Sequence, residues 1–331
     1  MKGKLYFMTK MECQNLADYW NIGCVESVGV PESGTINTLR ILTTDQGRFV
    51  LRIYRHHIHK RIETELRVVE WVAEQGIPAV VPIQTCDGKG FVEYNEQFVT
   101  LLPFVSGDQI ARDQLQLGDI AQMGRFLGQV HRVLSGYPIG DIPPVSIHIE
   151  PEETLAGIDR LEGLVRAIPN PQVTDDYALT RLISRREWLQ GRGKEDVSGL
   201  FQLPFQVVHG DFQQTNVFFE QGDVSALIDW DKIYIAPTAW EMIRTIHLML
   251  HFEPTQSIAF LKAYQETNDL SIEALDVAVL CYGLSRAYDL WLFKEIYDHG
   301  NDRVRQFVRP GSFVPVADDW ARVRPLVLEV L

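Results

Sequence analysis

The sequence predicts an α+β fold in two lobes: a small β-rich N-terminal lobe with one helix (residues 1–105) and a larger, mainly helical C-terminal lobe (residues 106–331). Three observations predict it. Up to residue 102, short apolar runs alternate with turn signals, the pattern of strands and hairpins. Beyond residues 103–107 the apolar spacing changes to the 3.6-residue period of helices. Within that helical part, a β-like island at residues 206–228 carries a dense set of polar side chains.

Taken in order, residues 26–30 and 35–43 read as strands joined by the turn Pro31-Glu32-Ser33-Gly34. Asp45-Gln46-Gly47 then turns the chain into a third strand, 48–54. A helix of roughly 62–75 is stopped by Gly76 and Pro78. A further hairpin follows, with strands at 84–86, 91–94 and 97–102 and the turn Asp87-Gly88. Residues 103–107 form a joint. In the next helix Ile120, Met123, Phe126, Leu127, Val130 and Leu134 fall on one side, and His131 and Arg132 in its last turn suit a helix C-terminus. Residues 138–151 are proline-rich and irregular. Helices are expected over 155–168 and 177–190. The island holds strands at 206–208, 216–219 and 226–228, the last two flanking the turn Gln221-Gly222-Asp223. Helices over 240–251, 256–267 and 272–297 follow.

Composition bounds the function. The chain has 331 residues, enough for two lobes with their own cores. No apolar run reaches the length of a membrane span, and the basic start Met1-Lys2-Gly3-Lys4 leads into no signal-like stretch. A cytoplasmic protein without a membrane partner is expected. Cys13, Cys24, Cys86 and Cys281 lie far apart with no C-x-x-C pair, so neither a zinc site nor a disulfide framework is expected. The formal net charge of −13 is opposite to the basic balance of a nucleic-acid binder.

The island reads as chemistry. His209-Gly210-Asp211 follows an apolar strand, Asn216 comes five positions after Asp211, and Asp229 ends another apolar strand thirteen positions later. Phosphoryl transfer asks little covalent chemistry of a protein: a carboxylate that orients the attacking hydroxyl, and oxygen ligands for Mg²⁺ on nucleotide phosphates. Mg²⁺ takes few protein oxygens, completing its shell with water and phosphate. Asp211 fits the hydroxyl-orienting base, and Asn216 and Asp229 fit the metal ligands.

His209-Gly210-Asp211-x-x-x-x-Asn216 followed by Ile228-Asp229-Trp230-Asp231 resembles the catalytic and metal loops of the aminoglycoside phosphotransferase, choline kinase and homoserine kinase superfamily, whose members share the protein-kinase fold. The resemblance covers residues 25–250 in order. It implies a protein-kinase-like fold with ATP (or GTP) and Mg²⁺ as cofactors and a small-molecule hydroxyl acceptor. It also implies a nucleotide lobe. Residues 29–34 sit where a nucleotide-covering loop belongs, with Ser33 and Gly34 amides on phosphate. Arg52 sits where a strand cation belongs, with Glu65 in the next helix reaching back to it. Pro103, Phe104 and Val105 sit at the linker that meets adenine. The helix around Leu127-Gly128-Gln129-Val130-His131 resembles a family helix in which His131 packs and hydrogen-bonds. Ala236-Pro237-x-Ala239-Trp240-Glu241 resembles the segment whose carboxylate braces the catalytic loop. Arg52 departs from the usual Lys but keeps a permanent charge and a forked donor set. Gln213-Gln214-Thr215 departs from the frequent filling of the catalytic loop, and Asp231 is open to either a metal or substrate contact or an outward-facing cap.

Two other readings compete. One is a protein Ser/Thr kinase of the same fold, opposed by Gly210, by Trp230-Asp231 and by the short stretch between Asp229 and Ala236. The other is a nucleotide-binding regulator without catalysis, opposed by the intact Asp211, Asn216 and Asp229. For the acceptor, Glu150, Glu152, Glu153, Asp175 and Asp176 are candidate attractors of a cation. His247 and His251 have zinc-helix spacing but no third ligand, and Tyr282, Tyr288, Trp291 and Tyr297 read as core rather than as an ammonium-binding box. The oligomeric state is left open.

Overall fold

The computed structural model describes residues 8–31, 37–55 and 58–329. Its first part is a five-stranded antiparallel sheet in the order β1-β2-β3-β5-β4, built from β1 (Val25–Gly29), β2 (Thr38–Thr44), β3 (Gly47–Ile53), β4 (Val92–Tyr94) and β5 (Gln97–Pro103). Leu42, Leu51, Val99 and Leu101 on one face bury against Leu16 and Trp20 of an N-terminal helical segment, α1 being Lys10–Ala17. The pattern that predicted the strands did not reveal α1. Its signature is a capping box, Thr9 with Glu12, in which each side chain meets the other residue's backbone N–H.

The helix α2 (His59–Glu74) packs Ile62, Val68, Val69 and Val72 inward and carries a buried Glu65 on the same side. The expected strand at 84–86 is absent. Thr85 instead closes a tight turn: its hydroxyl donates to Asp87 and accepts the Lys89 N–H. Just before it, Ile83 makes an isolated antiparallel bridge to Leu101 of β5.

The second part is helical around one large core. Its frame is α3 (Leu117–Leu134), α6 (Thr238–Thr245), α7 (Pro254–Gln265), α8 (Ile272–Tyr288) and α10 (Val316–Leu328), while α4 (Pro151–Arg166), α5 (Val173–Leu189) and α9 (Trp291–Tyr297) enclose a smaller one. Helices α3 and α7 approach so closely that a Cβ at Gly124 would collide with the Phe260 carbonyl. The predicted helix over 272–297 is two helices: the chain turns extended at Asp289, whose carboxylate accepts the Trp291 N–H. A last turn of π-helix, Ile246–Leu250, extends α6.

The island forms two small antiparallel ladders. The first pairs β6 (Gln206–Val208) with β9 (Tyr234–Ala236), a strand not read from the sequence. The second pairs β7 (Val217–Glu220) with β8 (Asp223–Leu227). These ladders fix the ends of the two loops that carry Asp211 and Asp229. A bridge from Ala79 to Leu227 ties the hairpin to the first part of the chain, and one from Asp108 to Phe219 ties it to the segment just after the joint. Among the described residues no helix is long and apolar enough to cross a membrane.

Candidate active site

The loop after β6 is held in place by glycine and by a buried acid. Gly210 has φ +80°, and a Cβ there would run into the Lys232 carbonyl and the Tyr234 ring. A residue other than glycine would be strained twice over, in backbone and in space. Glu241 of α6, fully buried, accepts the N–H groups of His209 (3.1 Å) and Gly210 (2.5 Å) and lies 2.9 Å from His131 Nε2. His131 Nδ1 meets the Tyr264 hydroxyl at 2.8 Å. Burial opposes the charge on Glu241, but His131 above all, with His209 and Arg244, holds its carboxyl below the usual range. The brace expected from residue 241 is therefore present, and His131 is the hydrogen-bonding partner the sequence made it.

His209 completes the loop. Its Nδ1 accepts the Asp211 N–H and its Nε2 faces the Ile228 carbonyl at 3.1 Å, which fixes Nε2 as the protonated nitrogen. Its ring lies against Trp230, centroids 4.6 Å apart. One histidine thus joins the two loops, and burial keeps it neutral by lowering its pKa.

Asp211 is buried between two cations that the sequence did not single out. Lys232 Nζ donates to Oδ2 at 2.9 Å and Arg244 donates to Oδ1. Burial pushes the carboxyl up, but Arg244 and then Lys232 outweigh it and bring the pKa down to about 2. The signal for Arg244 lay in its spacing: three positions after Glu241, it shares a helix face with the brace. Asn216, in a short 3₁₀ turn before β7, donates through Nδ2 to the Asp211 carbonyl at 2.8 Å, leaving Oδ1 to other partners.

Asp229 has the opposite surroundings. It sits in the left-handed region at φ +65° with 37% of its side chain exposed. Arg52 Nη2 lies 3.2 Å from it and 3.3 Å from Asp231, while Arg52 Nη1 lies 2.7 Å from Glu65. Both Arg52 and Glu65 are buried, so the pair is no surface salt bridge. One guanidinium thus faces three carboxylates. Burial pushes Asp229 up; Arg52 opposes this, and Asp231 and Asp211 reinforce it, leaving the pKa at about 7. Asp231 is not an outward cap. It is buried, takes a hydrogen bond from Asn37 Nδ2 at 3.0 Å, and its backbone carbonyl is gripped by Arg61.

The donor set fits a divalent cation. Among the described residues no three His, Cys, Asp or Glu form a self-contained metal cage. Mg²⁺ asks for less, one or two side-chain oxygens beside water and phosphate. A half-exposed Asp229 with excess negative charge around it, a buried Asp231 Oδ1 without a hydrogen-bond partner, and the amide oxygen of Asn216 meet that demand.

Ser33 and Gly34 lie outside the described residues. Pro103 ends β5 and Val105 follows in the linker, whose Phe104 N–H is held by the Arg48 carbonyl. A cavity of about 400 Å³ touches residues 103–106, but its other walls are residues 78–81, Glu220 of β7 and Ser225 and Ala226 of β8; Arg52 and Asp229 do not line it. The apolar groups on the Arg52 side are different ones. Val50 shares the β3 face of Arg52 and pairs with Leu102, and both are half-buried, as are Phe218 beyond Asn216 and Ile228 before Asp229. Two of the acidic residues in 150–176 are engaged within the protein: Asp175 is buried and spent on Arg305 and the Tyr297 hydroxyl, and Glu150 pairs with Lys194. His247 bonds the Tyr282 hydroxyl and His251 meets Arg112, so the two share no ligand; Tyr282 is core, whereas Trp291 is exposed.

Comparison with known proteins agrees with this architecture. The model of the "Phosphotransferase enzyme family" matches residues 28–275. The chain is similar to a homoserine kinase of Bartonella tribocorum, 26% identical over 95% of this chain and 89% of the relative, and to one of Chelativorans sp. at 25% over 80% of each. Among solved structures it resembles a spectinomycin phosphotransferase in complex with ADP and spectinomycin: TM-score 0.64, 14% identity, covering 98% of this chain and 94% of that one. It also resembles an amicoumacin kinase in complex with AMP-PNP and Ca²⁺: TM-score 0.57, 15% identity, covering 94% and 97%. The two-lobed kinase-like α+β fold is that of these neighbours, and the chain belongs to the phosphotransferase enzyme family, as a small-molecule kinase with a hydroxyl acceptor.

Proposed function

We propose that the chain transfers the γ-phosphoryl group of ATP, or GTP, to a hydroxyl of a small metabolite, with Asp211 as the residue that receives and orients that hydroxyl. Residues 1–105 form the nucleotide lobe and residues 106–331 the catalytic and acceptor lobe. The observation that carries the reading is the opposite electrostatics of two neighbouring loops. Asp211 is held ionised by two cations, and Asp229 stands in an excess of negative charge. The acceptor oxygen attacks the γ-phosphorus, the bond from that phosphorus to the β,γ-bridging oxygen breaks, and the hydroxyl proton passes to a carboxylate oxygen of Asp211. A carboxylate with so low a pKa is a weak base in the ground state. It suits a loose transition state, in which orientation precedes proton transfer. A bound divalent ion would neutralise charge on the phosphates. Asn216 and Asp229 would hold it, Arg52 fixed by Glu65 would bind phosphate, and the backbone of Pro103 and Val105 would meet the base, with Val50, Leu102, Phe218 and Ile228 around it.

The test is Asp211→Asn, assayed for ADP release with an acceptor that the wild type uses. Turnover is expected to fall by at least about 100-fold, the range of a lost acid–base group, while nucleotide affinity persists. Unchanged turnover would sink the assignment.

A further inference from the structure

We propose that the hydroxyl acceptor is an anion, an alcohol carrying a carboxylate or phosphate group, received by arginines that α5, α8 and the segment after residue 307 bring beside the Asp211 corner. The proposal rests on the phosphotransfer reading above. It runs against the net charge of the chain, −13, and against a cationic acceptor.

Positive charge is concentrated here without its usual partners. Arg181 and Arg185, four positions apart, lie on one face of α5. Arg185 Nη1 donates to the Asp289 carbonyl at 2.7 Å, Arg181 Nη1 donates to the Ser312 carbonyl at 3.1 Å, and Arg286 of α8 pairs with the Asp289 carboxylate at 2.6 Å. Among the described residues no carboxylate comes within ion-pair distance of Arg181, Arg185 or Arg309. The two acids whose fields reach them are already engaged, Asp289 with Arg286 and Asp319 with Arg322. Arg185 is only 6% exposed, sits against the Phe313 and Phe293 rings, and its Nε has no hydrogen-bond partner; the same holds for buried nitrogens of Arg286 and Arg244. A buried cation left with open donors costs free energy that a bound anion would recover.

The cluster continues to the chemistry. Arg244, which grips Asp211, and Arg286 and Arg309 all act on the Tyr282 hydroxyl, and that hydroxyl is bonded to His247 at 2.9 Å. Burial and the fields of Arg286, Arg309 and Arg181 keep His247 neutral. Burial and its cationic neighbours also lower Arg185 to about 9 and Arg309 to about 10, as expected of cations packed together without an anion. An acceptor seated with its negative group on Arg181, Arg286 and Arg309 would extend its hydroxyl past Tyr282 toward Asp211.

The experiment compares acceptors of one chain length that differ in charge: 4-hydroxybutanoate, 3-hydroxypropyl phosphate, 4-hydroxybutanamide and 4-amino-1-butanol. Each is titrated calorimetrically into the full chain with ADP, and each is offered for turnover with ATP and Mg²⁺. An anion is expected to bind and react, the preference between carboxylate and phosphate naming the group. Arg309→Gln and Arg181→Gln should each weaken anion binding roughly tenfold or more, the scale of a charge-assisted hydrogen bond, with the change falling on KM rather than kcat. Amide or amine binding as tightly as the anions, no anion binding at all, or anion affinity untouched in both variants would overturn the proposal. Anion binding that both variants weaken, with no transfer to any acceptor, would uphold the anion site and sink the phosphotransfer reading instead.

Discussion

Asp211 and Asp229 are the same residue type, at the ends of two strands in neighbouring ladders, and their environments push them in opposite directions. Asp211 has two cations and a pKa near 2; Asp229 shares one cation with Glu65 and Asp231 and has a pKa near 7. Burial raises both carboxyls, so local charge balance decides the sign. The contrast separates two jobs. Under the proposed roles, the carboxylate assigned to the hydroxyl is kept ionised by its own protein, while the one assigned to the cation is left short of a positive partner. Paired titratable groups whose environments drive them apart mark functional sites.

The largest expected effect comes from removing the brace beneath one corner only. Glu241→Ala leaves His131 and two backbone N–H groups without their buried acceptor. Breaking a buried charged network in this way costs about 3–5 kcal/mol. The variant should show a clear drop in thermal midpoint and little turnover, yet still bind nucleotide through the Arg52–Glu65–Asp229 corner. Equal loss at both corners, measured by nucleotide titration below the melting range, would mean that the two loops are one cooperative unit and that the contrast is not separable.

Much of this arrangement was legible in the chain, and what was missed has a common cause. Asp211, Asn216 and Asp229 announced themselves by spacing along a strand–loop pattern, and Glu241 and His131 by the resemblance of their segments to those of a known family. Lys232 and Arg244 did not. A basic residue near an acid is ordinary in sequence, and only the fold brings Arg244 across 33 positions to Asp211. Asp231 stayed ambiguous for the same reason, because its partners Asn37 and Arg52 lie almost 200 residues away. The fold was read from periodicity. That reading failed where side chains replace ladder bonds, at Thr85, and where a helix is announced by a cap rather than by an apolar stripe, at α1. It also failed at β9, a strand of three residues defined by distant pairing, with β6 along its length and with Pro144 at Ile235.

The contrast makes a pH prediction with a definite sign. A carboxyl whose folded pKa is raised favours the protonated folded state, so its contribution to stability is full below about 4 and is lost as pH rises through about 7. Asp211 is depressed, so its contribution is complete above about 4 and lost only as pH falls toward 2; it is flat across the neutral range. Between pH 6 and 8, then, Asp229 alone of the two titrates. If Asp229 holds Mg²⁺ as proposed, the metal competes with that proton. The rise in thermal midpoint on adding Mg²⁺ and nucleotide should be larger at pH 8 than at pH 6, with apparent Mg²⁺ affinity falling up to about tenfold per pH unit well below pH 7. A Mg²⁺ effect that is constant across this range would break the assignment of Asp229 as a ligand.

The smallest effect tests what raises Asp229. Asp231 is a like charge sharing the same guanidinium, and it follows Arg52 in the order of influences on Asp229. Asp231→Asn keeps the shape and a hydrogen bond to Asn37 while removing that charge. The midpoint of the pH dependence of Mg²⁺ binding should move down, by about one unit, which is about 1.4 kcal/mol of interaction. Arg52 would then be shared by two carboxylates instead of three, as an ordinary cation between a helix acid and a metal-loop acid. Asp211 gives the internal control: its fold and its cations are untouched, so the acid limb of the turnover profile should stay where it is. If the midpoint did not move, burial rather than like charge would be what holds Asp229 up. The difference between the two aspartates would then rest on the cations at Asp211 alone.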